Sequence, residues 1–145
     1  MPEFREAWAQ YYAKYILEMK KQGIDIFSLT VQNEPKAVQS WDSCVYTPEE
    51  ERDFVKDYLG PALEAAGLGH VKVMVWDHNK ERLYDWAAVS LSDEKAAKYL
   101  FGAGFHWYSG DHFEAIEALN ARFPDMKFIF TEGCQEGGVK LGAHL

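Results

Sequence analysis

The sequence predicts an α/β protein built on a parallel sheet covered by helices. Three observations lead there. Short apolar runs rich in β-branched and aromatic residues alternate with segments of helical periodicity, the pattern of parallel strands joined by helices. Each apolar run ends in polar groups, and in such folds chemistry gathers at the carboxyl ends of the strands. At 145 residues, the chain carries four such units, about half of a (β/α)8 barrel of ~250 residues. An open doubly wound sheet and an arc of a barrel both fit this pattern.

The elements follow in order. Phe4, Trp8, Tyr11, Tyr12, Tyr15, Ile16 and Met19 recur at helical spacing, predicting a core-packing helix that Gly23 stops. "IFSLTV" (26–31) reads as a strand and runs directly into Asn33, Glu34 and Pro35, all poor strand residues. After a loop of roughly fifteen residues containing Trp41, "TPEE" predicts a helix start: Thr47 caps, Pro48 takes the first turn and Glu50 closes a capping box. The Glu49–Glu51 run then reads as negative charge at a helix N-terminus, and the helix extends to about Ala66 with a bend at Gly60-Pro61. "VKVMVW" (71–76) is the next strand, ending at Asp77, His78 and Asn79. Residues 81–89 and 93–100 read as helices, the second capped by Ser92. "FGAGFHWY" reads as a strand whose glycines admit a close neighbour, Asp111 as the cap of a helix to about Arg122, and "KFIF" as a strand ending at Thr131 and Glu132. Trp8 and Trp86 are expected in the core, because their spacing is helical.

Composition limits the function classes. Hydrophobic residues at 48% are enough to fill a core, and no repeat or low-complexity linker divides the chain. With 23 acidic against 15 basic residues and no basic run, a nucleic-acid partner is not expected, whereas a neutral substrate is. No apolar stretch has the length of a membrane span and no secretion signal opens the chain, so localisation stays open. Cys44 and Cys134 read as two free thiols. His78, His106 and His112 lack the spacing of metal-ligand motifs, so no metal or other cofactor is expected and these histidines read as satisfied loop or site-wall residues.

Two carboxylates at strand ends, Glu34 and Glu132, suit a reaction that needs an acid and a nucleophile facing one bond, as glycoside hydrolysis does. Asn33 offers a donor to a sugar hydroxyl, and Trp41, Trp76, Trp107 and Tyr108 offer flat faces for pyranose rings. Trp41 fits stacking on substrate and plugging its loop equally well.

"LTVQNEP" (29–35), "HWY" (106–108) and "FTEG" (130–133), in this order, resemble glycoside hydrolase family 30, the group of glucosylceramidases, β-1,6-glucanases and β-xylosidases. "TPEEERDFVKDYLGPAL" and "SDEKAAKYLFGAGFHWYSGD" resemble that family's connecting segments, so the likeness covers nearly the whole chain.

The resemblance implies a (β/α)8 barrel beside a β-sandwich, and hydrolysis with retention of configuration. By it, Glu34 is the general acid/base after the fourth strand and Glu132 the nucleophile after the seventh. Asn33 contacts the sugar 2-hydroxyl; His106, Trp107 and Tyr108 line the sugar subsite; Asp77 belongs to the site wall, and Tyr108 donates to Glu132. The chain is then expected to be a fragment, family strands four to seven of a partial barrel over residues 1–145, with Met1 an internal methionine and the other strands and the sandwich absent. The expected substrate is a β-glucoside, glucan or glycolipid, with xylan cleavage the alternative. A non-catalytic half barrel that binds carbohydrate or self-associates is the other reading.

Overall fold

The computed structural model describes residues 2–134; Met1 lies outside them. Strands β1 (Ser28–Thr30), β2 (Lys72–Asn79), β3 (Leu100–His106) and β4 (Lys127–Glu132) form one sheet in the order β1-β2-β3-β4, every neighbouring pair parallel. A doubly wound sheet reverses its order at a switch point, whereas sequential neighbours are what a barrel generates. The sheet is therefore an arc of a (β/α)8 barrel. Helix α1 (Arg5–Lys21) precedes β1, and α2 (Pro48–Phe54), α3 (Gly60–Ala65), α4 (Leu83–Leu91), α5 (Glu94–Ala97) and α6 (Phe113–Arg122) supply the connections. The core between helices and sheet is built from Phe54, Leu59, Val73, Val75, Leu83, Ala87 and Leu119.

The capping box forms as expected: the Glu50 amide donates to Thr47 Oγ1 at 3.1 Å and the Thr47 amide to the Glu50 carboxylate at 2.9 Å. A cap of this kind contributes about 1 kcal/mol. Gly102 also behaves as expected. Its φ is +155°, and a Cβ there would collide with the Lys127 carbonyl, so only glycine lets β3 lie this close to β4.

Several boundaries differ from the sequence reading. β1 has three paired residues; Ile26 and Phe27 precede it, Phe27 being 65% exposed. β2 runs past Trp76 to Asn79 through a register shift, because Trp76 and Asp77 adopt φ of 73° and 51° and the chain re-pairs at His78. The irregularity expected at Gly60-Pro61 is a π-helical stretch, Val55–Leu59, just before them. Residues Lys80–Arg82 form a 3-10 turn ahead of α4, and Ser92 closes that helix. α5 is capped instead by Asp93, whose carboxylate accepts from the Lys95 and Ala96 amides at 2.9 and 3.2 Å. Asp111 does not cap α6: the capping position falls on His112, left-handed at φ 36°.

The face of α1 is the largest correction. Its buried residues are Ala9, Ala13 and Ile16, while Phe4, Trp8, Tyr11 and Tyr15 are exposed. Both stripes have helical spacing, and the alanines win the interior because small side chains let two helices approach closely. Of the aromatics, Tyr12 turns inward and donates to the Val31 carbonyl at 2.6 Å. Trp86 is buried as expected.

Glu51 is also displaced from its surface reading. It is fully buried behind β2, its carboxylate accepting from the Trp86 indole at 2.6 Å and the Trp76 amide at 3.1 Å. Burial outweighs these two donors and pushes its carboxyl from 4.5 up to about 8. Because this carboxyl binds its proton more tightly folded than unfolded, its contribution to stability is full below about pH 4.5 and is lost as pH rises through about 8. Glu51→Gln removes that dependence. Between about pH 5 and about pH 9, the urea midpoint of the variant should shift less than that of the parent; equal shifts would show that Glu51 does not carry the effect.

Candidate active site

Asp77 gathers the strand ends. Its carboxylate accepts from Thr30 Oγ1 beside it on β1 (2.6 Å), from His106 Nε2 on β3 (3.1 Å) and from Thr131 Oγ1 on β4 (2.6 Å). Its backbone carbonyl accepts from the Glu34 amide at 3.0 Å. Burial works to raise its pKa, but the bonds from His106, Thr131 and Thr30 outweigh that and hold it below the usual aspartate value. Gly104 leaves the room this arrangement needs, since a Cβ there would sit 3.0 Å from the Thr131 methyl and 3.3 Å from Asp77 Oδ1.

Glu34 is held at φ 49° just past β1, a left-handed conformation that costs a non-glycine residue energy and clusters at functional sites. Its Oε2 accepts from the Gln39 side-chain Nε2 at 2.8 Å. Oε1 lies 3.4 Å from His106 Nδ1 and 3.6 Å from His78 Nδ1. Glu132, at the end of β4, accepts from the Tyr108 hydroxyl at 3.0 Å, and its other oxygen is 4.0 Å from His106 Nε2. The two glutamates therefore flank one fully buried imidazole. Burial lowers the His106 pKa, but its bond to Asp77 and the charges of Asp77 and Glu132 prevail, so the net direction is up. The Tyr108 hydroxyl accepts from the Cys134 amide at 2.8 Å, which favours ionisation; removal from water and the Glu132 carboxylate prevail and lift it to about 12, keeping it a donor to Glu132.

The other expected site residues are distributed unevenly. Tyr108 is anchored by its own amide, which donates to Asn79 Oδ1 at 2.9 Å. Trp107 is 48% exposed, its ring centroid 5.9 Å from that of Phe130. Asn33 is exposed in the turn before Glu34, and Trp41, 68% exposed, sits farther along the same loop. Trp76, a stacking candidate in the sequence, is fully buried against Trp86 at 4.7 Å between centroids. His78 and His106 are not satisfied histidines. Neither Nδ1 has a hydrogen-bond partner among the described residues, and with Glu34 their ligand atoms fall within 4.8 Å of one another. This cluster joins three separate segments, so no local spacing rule reads it. Gln39 falls in no sequence motif, and Thr30 and Thr131, though inside LTVQNEP and FTEG, had no role assigned from the sequence.

Comparison with known proteins agrees with the fold. The profile of the glycosyl hydrolase family 30 TIM-barrel domain matches residues 2–143. A putative glucosylceramidase 4 of Caenorhabditis elegans is 34% identical over 152 residues, covering 97% of this chain but 29% of that protein. The crystal structure of SrfJ from Salmonella typhimurium superposes with a TM-score of 0.93 at 42% identity, over 99% of this chain and 32% of that one. An endo-β1,6-glucanase, BT3312, superposes with a TM-score of 0.85 at 36% identity, over 91% of this chain and 30% of that one. The chain thus spans about a third or less of the proteins it matches.

Removing the Asp77 carboxylate strands two hydroxyls and a ring N–H, each costing about 1–3 kcal/mol when left without an acceptor. Asp77→Ala should destabilise the fold by about 3 kcal/mol or more, and Asp77→Asn, which keeps one acceptor oxygen, by less. Urea titration measures both; a loss below about 1 kcal/mol for the alanine variant would show that Asp77 does not hold the strand ends together.

Proposed function

Since the chain belongs to glycosyl hydrolase family 30, we propose that it forms the catalytic centre of a retaining β-glycosidase acting on β-glucosidic bonds. The observation that carries this reading is the pair of glutamates, Glu34 and Glu132, at the carboxyl ends of parallel strands on either side of His106. In the double displacement, Glu132 attacks the anomeric carbon while Glu34 protonates the departing oxygen; Glu34 then draws a proton from the water that releases the sugar. The bond from Tyr108 to one oxygen of Glu132 leaves the other for attack. The Gln39 side chain fixes Glu34 through Oε2, leaving Oε1 toward the imidazoles.

The glucosyl preference rests on likeness to a putative glucosylceramidase and a β-1,6-glucanase. Exposed Trp107, Trp41 and Asn33 are the candidate sugar contacts, the tryptophans by stacking and the asparagine by hydrogen bonding. In this reading the described arc supplies both carboxylates, and the remaining strands complete the pocket. Products from β-1,6-glucan, glucosylceramide and an aryl xyloside distinguish glucosyl from xylosyl specificity.

A second reading concerns the chain by itself. The stripe Phe4, Trp8, Tyr11 and Tyr15 is exposed, and β1 and β4 each pair on one side only among the described residues. Apolar stripes and unpaired strand edges both drive association, so light scattering of the 145-residue chain at micromolar concentration should report dimers or larger species. A monodisperse monomer would contradict this.

The role assignment is tested by a 2-fluoro glucoside with a good leaving group, which traps the covalent ester. In the complete enzyme the label should land on Glu132 and be lost in Glu132→Gln. Glu34→Gln should still label, because that leaving group needs no proton, and azide should restore its turnover, which otherwise falls by about 10²–10⁴-fold. A label on Glu34 would reverse the roles. The isolated chain should not label, since misplacing the sugar by about 1 Å can cost 10²-fold.

A further inference from the structure

We propose that Glu34, His78 and His106 form a binding site for a divalent transition-metal ion of the zinc class, and that occupancy of this site switches the catalytic centre off. The inhibitory half of the proposal rests on the reading of Glu34 as the acid/base; the binding half stands on geometry alone.

The His106 side chain is wholly buried. Its Nε2 faces Asp77 Oδ1 at 3.1 Å, and an ionised carboxylate only accepts, so Nε2 carries a proton and, in the neutral ring that a metal ion binds, Nδ1 presents the lone pair. That nitrogen lies 3.4 Å from Glu34 Oε1 with no hydrogen bond between them. His78 repeats the situation, its Nδ1 also unpartnered among the described residues and 3.6 Å from the same oxygen. Three ligand atoms thus converge with nothing positive between them.

The spacing suits an ion. Tetrahedral zinc with bonds of about 2.0–2.1 Å sets neighbouring ligand atoms about 3.4 Å apart, against 3.4 and 3.6 Å from Glu34 Oε1 to the two nitrogens, all three atoms lying within 4.8 Å of one another. Two imidazole nitrogens and one carboxylate are ligands that zinc, cobalt, nickel and copper favour over magnesium or calcium. Asp77 on the far nitrogen of His106 is the outer carboxylate that fixes ring orientation and raises ligand basicity in such sites. The Glu34 and His78 side chains are 17% and 13% exposed, which leaves solvent a route to a fourth position. An ion held there occupies the oxygen that the acid proton needs, so binding and turnover exclude each other.

The test titrates the metal-free protein with Co²⁺, followed by its visible d–d absorption, and with Zn²⁺, followed by calorimetry. One ion should bind per chain. His78→Ala and Glu34→Gln should each weaken Zn²⁺ binding by about 10-fold or more, whereas Cys44→Ser and Cys134→Ser should not. In the complete enzyme, Zn²⁺ should inhibit, a chelator should restore turnover, and His78→Ala should need about 10-fold more Zn²⁺ for half-inhibition of its own activity. No binding tighter than about 1 mM, or equal binding to His78→Ala and the parent, overturns the site. Metal bound as expected in a protein without glycosidase activity sinks the catalytic reading alone; activity in a protein that binds no metal sinks the metal site alone.

Discussion

One buried carboxylate, that of Asp77, determines the arrangement at the top of the sheet. It takes donors from beside it on β1, β3 and β4 while its own carbonyl fixes the Glu34 amide. Parallel strands are otherwise joined only along their lengths, and their ends are free to fray. Here the ends converge on a single side chain, so His106 and the turn bearing Glu34 are fixed to a common point, and Thr131 brings Glu132, its neighbour in the chain, to the same place. The arrangement has an energetic cost: Glu34, Trp76 and Asp77 all occupy positive φ without being glycine, at about 1–3 kcal/mol each. Glu51, buried behind them, accepts the Trp76 amide that this distorted strand turns away from its neighbour.

This view explains which features the sequence revealed. Alternation of apolar runs and helical segments depends on residue type alone, so the four parallel strands and the capping box at Thr47 were legible, as were Glu34 and Glu132 as carboxylates stranded at strand ends. The order β1-β2-β3-β4, which separates a barrel arc from a doubly wound sheet, was not legible in the alternation pattern, which both folds share; the likeness of LTVQNEP, HWY and FTEG to family 30 implied the barrel that the structure has. Asp77 and Asn79 read as the end of β2, since neither favours a strand; the bulge that carries the pairing on to Asn79 is held by tertiary hydrogen bonds. On α1, two stripes competed for the interior and hydrophobicity pointed to the aromatic one. The alanines lie inside because helix approach there rewards small side chains, a constraint set by the neighbouring helix. Glu51 looked like a charged first turn and is core, its partners Trp76 and Trp86 lying 25 and 35 residues away. His78 failed to register for the same reason: its partners come from β3 and the loop after β1.

Strain, burial and charge therefore meet at one point, and chemistry follows from that. A carboxylate fixed by a backbone hydrogen bond and an amide faces an imidazole whose far side is locked, while the opposing carboxylate is pinned by a tyrosine that stays protonated. Such preorganisation is what the proposed double displacement asks of its two glutamates.

Retention of configuration requires the two carboxyl groups to lie about 5–5.5 Å apart, whereas inversion needs about 6.5–9.5 Å to admit a water. The anomeric form of the first-released product reads this separation directly. Proton NMR of the complete enzyme acting on a β-glucoside should show the β-anomer first, with the α-anomer growing in only at the rate of mutarotation. An α-anomer released first would contradict the account.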